Sequence, residues 1–391
     1  MVEELRRGGL NESIEVDEDR FQLLLGGGTV INLHNGFLEW ERASALRRGQ
    51  VLRRFAAVFL QPGEPPAAVE QARPNLMLRV RDREWYAVNE LRFAATRHAH
   101  EGQGPVFTYE PLNEWLAVEV VYDWPTSVSS LKPETLASWD MSLEEAIRTA
   151  RANLRERTEG TFRPVAAGVF ASPWQDTYDA ARLLLTELIS RLDLRGDPVA
   201  LLPHRNNLFL AGSDDEAGLG RIAQLAEPLL DDPHRVTGRA FVWRDGRWQL
   251  YLPAERHPHH ETFRRLVTLT VAEDYNEQRA VLEDRYAAAG DDVFVAAVML
   301  RTDNATDEVR SVCTWTEGVR TVLPRADEIA FVIAGQSEDE NKITLVPWDL
   351  AVAVLGAAME PQGLLPERWL VDRFPSAAEL GSLESASSTS G

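Results

Sequence analysis

The chain carries 41 lysines and arginines against 61 aspartates and glutamates over 391 residues, a formal net charge of -20. That balance repels a phosphate backbone, and no basic run is longer than an Arg-Arg pair, so nucleic acid is disfavoured as a partner. With 44% hydrophobic and 26% charged residues the composition is that of a soluble globular protein of two or three domains; no apolar run approaches the ~18 residues of a membrane span.

The single cysteine, Cys313, excludes an internal disulfide and a Cys-x-x-Cys metal site. Residues Met1 to Arg7 mix acidic and basic side chains without an apolar core, so no secretory signal is visible and a cytoplasmic location is expected.

In chain order, residues 1–20 are polar and expected to be disordered. Phe21 to Leu33 predicts two short strands around Gly26-Gly-Gly28, a triplet that lacks the spaced third glycine of a dinucleotide loop. Leu38 to Leu60 alternates apolar and charged residues at helical spacing until Gln61 to Pro66 ends it, and Ala67 to Arg73 adds a short helix. Leu76 to Val88 reads as a hairpin turning at Asp82-Arg83, and Leu116 to Tyr122 as a strand. Ser142 and Glu145 stand at capping-box spacing before a helix that runs to Arg157, and Phe162 to Phe170 predicts a strand.

The central stretch begins at Asp176. Tyr178, Ala181, Leu184, Leu185, Leu188, Ile189 and Leu192 recur at helical spacing and predict one helix. After Gly196 and Pro198, the apolar runs Val199–Leu202 and Leu208–Ala211 read as paired strands joined by the turn Pro203-His-Arg-Asn-Asn207, and Ser213 with Glu216 caps a helix that ends near Leu230. Asp245-Gly246, between two alternating apolar runs, predicts a hairpin. A boundary is placed at Pro253 to His260. Beyond it follow a helix (Phe263 to Arg285), strands at Val293–Leu300, Val309–Thr316, Glu328–Ile333 and Ile343–Pro347, a helix (Asp349 to Ala357), and a Ser-rich tail from Ser376 expected to be flexible.

The fold class is therefore α+β, with two or three small domains of helices packed on short, mainly antiparallel sheets. The expected divisions are a disordered stretch at 1–20, an N-terminal region at 21–135, a central domain at 136–253, a C-terminal domain at 261–375 and a tail at 376–391.

Ser142-x-x-x-Ala146 leading to Ala152-Asn-Leu154, then Asp179-x-x-Arg182-Leu-Leu, then Pro203-x-Arg205-Asn206-x-Leu208 resembles the YtpQ-like family of uncharacterised bacterial proteins (domain of unknown function 1444) over roughly Ala72 to Pro253. The resemblance implies a cytoplasmic bacterial protein and no activity. That family more often has Pro-x-Arg-Asp at the turn, so Asn206 is a departure and an acid–base role does not carry over to it.

The turn collects more polar side chains between apolar strands than any other segment. His204, Arg205 and Asn206 could line a pocket completed by Asp179 and Arg182 from the preceding element, with the arginines gripping a carboxylate or amide. The plainer alternative is a turn in which the asparagines tolerate left-handed backbone and the other side chains are solvated. His257, His259 and His260, like His98 and His100, read as solvated linker histidines, so neither a metal nor a cofactor is expected. Cys313 lies in a strand pattern and reads as a small buried hydrophobe.

Two function classes follow. The first is a non-enzymatic protein-binding or adaptor module, suggested by eleven tryptophans and by the lack of a recognised catalytic motif. The second is an enzyme of unrecognised type with its pocket at Pro203 to Asn207. The expected partner is a protein or a small polar ligand, with no nucleic acid and no membrane.

Overall fold

A computed structural model describes residues 1–11, 13–18, 21–25, 30–60, 65–97, 107–125, 127–232, 234–303, 308–335 and 341–387. The α+β expectation holds: among the described residues, helices pack on five small sheets in which antiparallel pairing dominates. None of the helices among the described residues is long and apolar enough to cross a membrane.

The centre is a six-stranded sheet ordered Arg247–Tyr251, Ala240–Arg244, Pro198–His204, Asn207–Gly212, Val169–Ala171, Arg163–Ala166. Its two inner strands are apolar without alternation because both faces are covered. Ala200, Leu202, Leu208 and Leu210 enter one core, while Val199, Leu201, Phe209 and Ala211 enter another beneath the helix Glu216–Ala226. The first of these cores runs on into the antiparallel pair Leu76–Asp82 and Leu116–Asp123 and the helix Leu143–Arg157, so side chains from Ala72 to Trp248 share it. Ser142 caps that helix, accepting from the Glu145 amide at 3.1 Å, while the Glu145 carboxylate turns away to Arg73 at 2.7 Å. The Asp245-Gly246 turn has both residues at positive φ, 51° and 74°, the backbone a two-residue hairpin needs.

Four expectations are corrected. Residues Leu76 to Val88 are not a hairpin: the strand stops at Asp82 and a helix, Arg83–Arg97, begins at once. The Asp82 carboxylate accepts the Glu84 amide at 3.2 Å, and this cap at the junction wins over the β-propensity of Trp85 and Tyr86. Asp176 to Leu192 is not one helix. Gln175 and Thr177 sit at φ 54° and 78°, a 3-10 turn covers Ala180–Leu184, and only Thr186–Ile189 is α-helical. Its apolar stripe is buried as expected, but the Asp176 carboxylate accepts the Tyr178 amide at 3.1 Å and holds the chain in a turn.

The expected disorder at both ends is overturned as well. Val2–Arg7 is a helix with Leu5 fully buried, and Ile14–Asp17 pairs with Gln22–Leu25. Ala377–Ser387 is a helix that buries Leu383 completely in the C-terminal core and places Glu384 on Lys342 at 2.9 Å. Residues 388–391 of the expected tail, and the Gly26-Gly-Gly28 turn, lie outside the described residues. Smaller differences are breaks. The helix expected from Leu38 to Leu60 is two, His34–Arg42 and Ala45–Leu60, and the strand expected from Val293 to Leu300 is divided between two sheets.

Since Leu383 is fully buried, Leu383→Ala is expected to cost about 2–3 kcal/mol in urea unfolding. A midpoint equal to that of the parent chain would restore the flexible tail.

Candidate functional site

A cavity of about 860 Å³ opens where the N-terminal helices meet the central layers. The helix Ala45–Leu60 contributes Gln50, Arg53, Arg54 and Phe55; the strand Leu76–Asp82 contributes Arg79 and Arg81; Tyr178 comes from the corrected turn, Arg205 from the hairpin, and His234 from the segment before Ala240. Period two explains the strand's part. Leu76, Leu78 and Val80 face the core, which puts Arg79 and Arg81 together on the opposite face.

These two arginines have different surroundings. Arg79 lies across the ladder from Glu119, and its Nε and Nη2 donate to Glu119 Oε2 at 2.9 and 2.6 Å. Arg81, 8% exposed, has no carboxylate partner among the described residues: its Nη1 donates to the Arg235 carbonyl at 2.8 Å and its Nε is bonded to none of them. Trp85 lies under both guanidinium groups, at 5.4 and 5.0 Å. Arg205 is bound through its backbone, its amide donating to the His234 carbonyl and its carbonyl accepting from Ala180, while its Nε is buried and unpartnered.

The lining is therefore cationic. Its carboxylates are engaged: Glu39 pairs with Arg54, and Asp123 accepts from Arg157 at 2.7 Å and from the Tyr178 hydroxyl at 2.7 Å. Burial, with Arg79 beside it, brings the Arg81 guanidinium down to about 9. Burial and Arg54 bring Arg205 down to about 10. Burial, with Arg205 and Arg81 close by, depresses His234 to about 3, so its imidazole is neutral at physiological pH.

Of the residues singled out in the sequence, Arg205 lines the cavity, and the other four are arranged around it in the structural framework. His204 Nδ1 accepts the Asn206 amide at 3.1 Å, with its Nε2 3.2 Å from Asp232; Asn206 Oδ1 accepts the Thr177 amide at 2.9 Å. Arg182 is fully buried, forked onto Asp176 by two bonds of 2.8 Å, donating to Thr158 at 2.9 Å and stacked on Trp174. Asp179, also fully buried, accepts the Asp176 amide. Together they fix the loop that presents Tyr178. Arg79, Arg81, Tyr178 and His234 escaped the sequence reading, although Arg-x-Arg inside an apolar strand was a visible signal.

The remaining candidates are local. His257 Nδ1 accepts the His259 amide and His260 Nδ1 lies 2.7 Å from the Pro253 carbonyl, while His98 and His100 lie outside the described residues. Cys313 is fully buried and its thiol is pushed up to about 12 by burial.

Among curated proteins, the chain is 32% identical over 77 residues to a UPF0354 protein of Bacillus cytotoxicus and 34% identical over 77 residues to UPF0354 proteins of two Bacillus cereus strains. Each match covers 19% of this chain and 28% of the relative. This partial similarity links the chain to an uncharacterised family. No family model and no solved structure matches it.

The depressed His234 sets a pH dependence. The unfolded chain binds this proton below about 6.5 and the folded chain only near 3, so this group makes stability rise with pH between those values and adds no slope above them. His234→Gln is expected to flatten the loss of stability between pH 6.5 and 4. In an NMR titration from pH 5 to 8, the His234 ring signal should not move; a midpoint near 6.5 would refute the cationic setting.

Proposed function

We propose that this protein binds a small organic polyanion, such as a phosphate ester, in the arginine-lined cavity. One observation carries it: Arg81 and Arg205 face the same cavity, each with an unpartnered Nε and neither bonded to a carboxylate among the described residues. An unmatched buried cation costs several kcal/mol, and a guanidinium fork is shaped to take two oxygens of a phosphate or carboxylate. The volume suits a metabolite-sized ligand, and Phe55, Trp124 and Tyr178 supply apolar wall for its non-ionic part. The partial similarity to UPF0354 proteins supports a further reading, that the chain is a divergent YtpQ-like member working in a bacterial cytoplasm.

An adaptor role is the second reading, favoured by the outer face of the sheet Met299–Thr302, Val309–Thr316, Glu328–Ile333, Lys342–Pro347. There Met299, Ile343 and Leu345 are 48, 60 and 41% exposed, on the side opposite Cys313 and Phe331. Turnover of the bound anion is the enzymatic alternative for the cavity, and release of inorganic phosphate from a phosphate ester would reveal it.

Calorimetry with inorganic pyrophosphate is expected to give one site per chain, with Arg81→Met and Arg205→Gln each weakening it at least about tenfold, ~1.4 kcal/mol. Pyrophosphate at a hundred times its Kd should stabilise the parent chain by about 2.7 kcal/mol. Without ligand, Arg81→Met should be as stable as the parent or more so, because it removes an unmatched charge. Equal affinity in parent and both variants would place the anion elsewhere.

A further inference from the structure

Next to the cavity wall, three buried carboxylates converge. Asp82 ends the strand Leu76–Asp82, Glu84 lies in the first turn of the helix Arg83–Arg97, and Asp274 lies midway along the helix His260–Ala289. They are 1%, 2% and 4% exposed, and one oxygen from each lies within 4.8 Å of the other two. An ion bonded to oxygens at about 2.1–2.4 Å holds them no farther apart than about that distance.

Two arginines are already there. Arg239 donates to Asp82 at 2.6 Å and to Glu84 at 3.1 Å, and Arg235 donates to Asp274 and Glu277 at 2.9 Å each. Arg235 is shared between buried Asp274 and the partly exposed Glu277, so the three buried carboxylates Asp82, Glu84 and Asp274 are incompletely matched by Arg235 and Arg239. The hydrogen-bond pattern shows where the deficit lies. Among the described residues, Glu84 Oε2 and Asp274 Oδ2 are buried without a hydrogen-bond partner, and Arg239 Nη1 lies 3.8 Å from the latter. Trp115 covers Arg239 at 4.4 Å, so that guanidinium is held between a ring and the oxygens it already bonds.

We propose that Asp82, Glu84 and Asp274 hold a divalent cation that prefers hard oxygen ligands, Mg²⁺, Mn²⁺ or Ca²⁺, with Glu84 Oε2 and Asp274 Oδ2 as its main protein ligands. An all-carboxylate donor set without nitrogen or sulfur selects ions of this class. The site also bears on the cavity. Arg235 ion-pairs with Asp274 through its side chain and accepts from Arg81 through its carbonyl, so an ion that fixes Asp274 also fixes the wall that carries Arg81.

The full chain, stripped with a chelator and titrated with Mn²⁺ under electron paramagnetic resonance, is expected to bind one ion that Mg²⁺ or Ca²⁺ displaces. Glu84→Gln should weaken Mn²⁺ at least tenfold, while Asp349→Asn, at a side chain 92% exposed, should leave it unchanged. Circular dichroism checks that Glu84→Gln folds; if it does not, Asp274→Asn is measured in its place with the same expectation. Weak, multiple Mn²⁺ binding that is equal in parent and variants would overturn the proposal, as would an absence of Mn²⁺ binding to the folded parent chain. Pyrophosphate binding is measured separately, so failure of the cation site and failure of the anion cavity are distinguishable.

Discussion

A guanidinium group taken out of water has to be matched, by carboxylates, by carbonyls or by something the protein binds, because an unpaired buried charge costs several kcal/mol. Four buried arginines show the available solutions. Arg182 is forked onto Asp176, and Arg239 is surrounded by Asp82, Glu84 and Asp274. Arg368, fully buried, has no carboxylate partner among the described residues and is satisfied by the carbonyls of Ala296, Val322 and Tyr275 together with the Gln278 side chain. Arg81 alone among the four keeps an unpartnered Nε, and it faces a cavity. The Arg239 and Arg368 solutions join segments distant in the chain, whereas Arg182 holds Asp176 six residues away. The fourth is the observation on which the proposed anion site rests.

The global charge sharpens that contrast. A chain of net charge -20 repels anions at long range, but with screening over about 8 Å at physiological ionic strength the repulsion fades well outside the cavity. An anion in the proposed site would gain from contact with desolvated guanidinium groups and not from long-range steering.

What the sequence disclosed follows from how local the cause was. The paired strands around Pro203 to Asn207 were legible because both faces of the sheet are covered, giving short unbroken apolar runs, and the Asp245-Gly246 hairpin because its turn demands positive φ. The helix before them was misread because its apolar spacing is real but Asp176 bonds the Tyr178 amide and Arg182 instead of leaving the backbone to a helix. Arg205 was legible as the polar residue of a turn. Arg81 and His234 were not, since their role depends on a cavity lined by segments spread from Glu39 to His234, and no window of the sequence contains them together.

Asp82 shows why such sites resist local reading. One carboxylate ends a strand, accepts the Glu84 amide that starts the next helix, and takes the Arg239 guanidinium from 157 residues away. The cap decides that Trp85 and Tyr86 enter a helix and not a returning strand. That helix in turn sets Glu84 against Arg239 and packs on the helix carrying Asp274. A hairpin at this point would have carried Glu84 away along a second strand, leaving Arg239 with fewer oxygens and the cluster unformed. The local choice at one residue therefore builds the carboxylate cluster and, through Arg235, the wall of the cavity beside it.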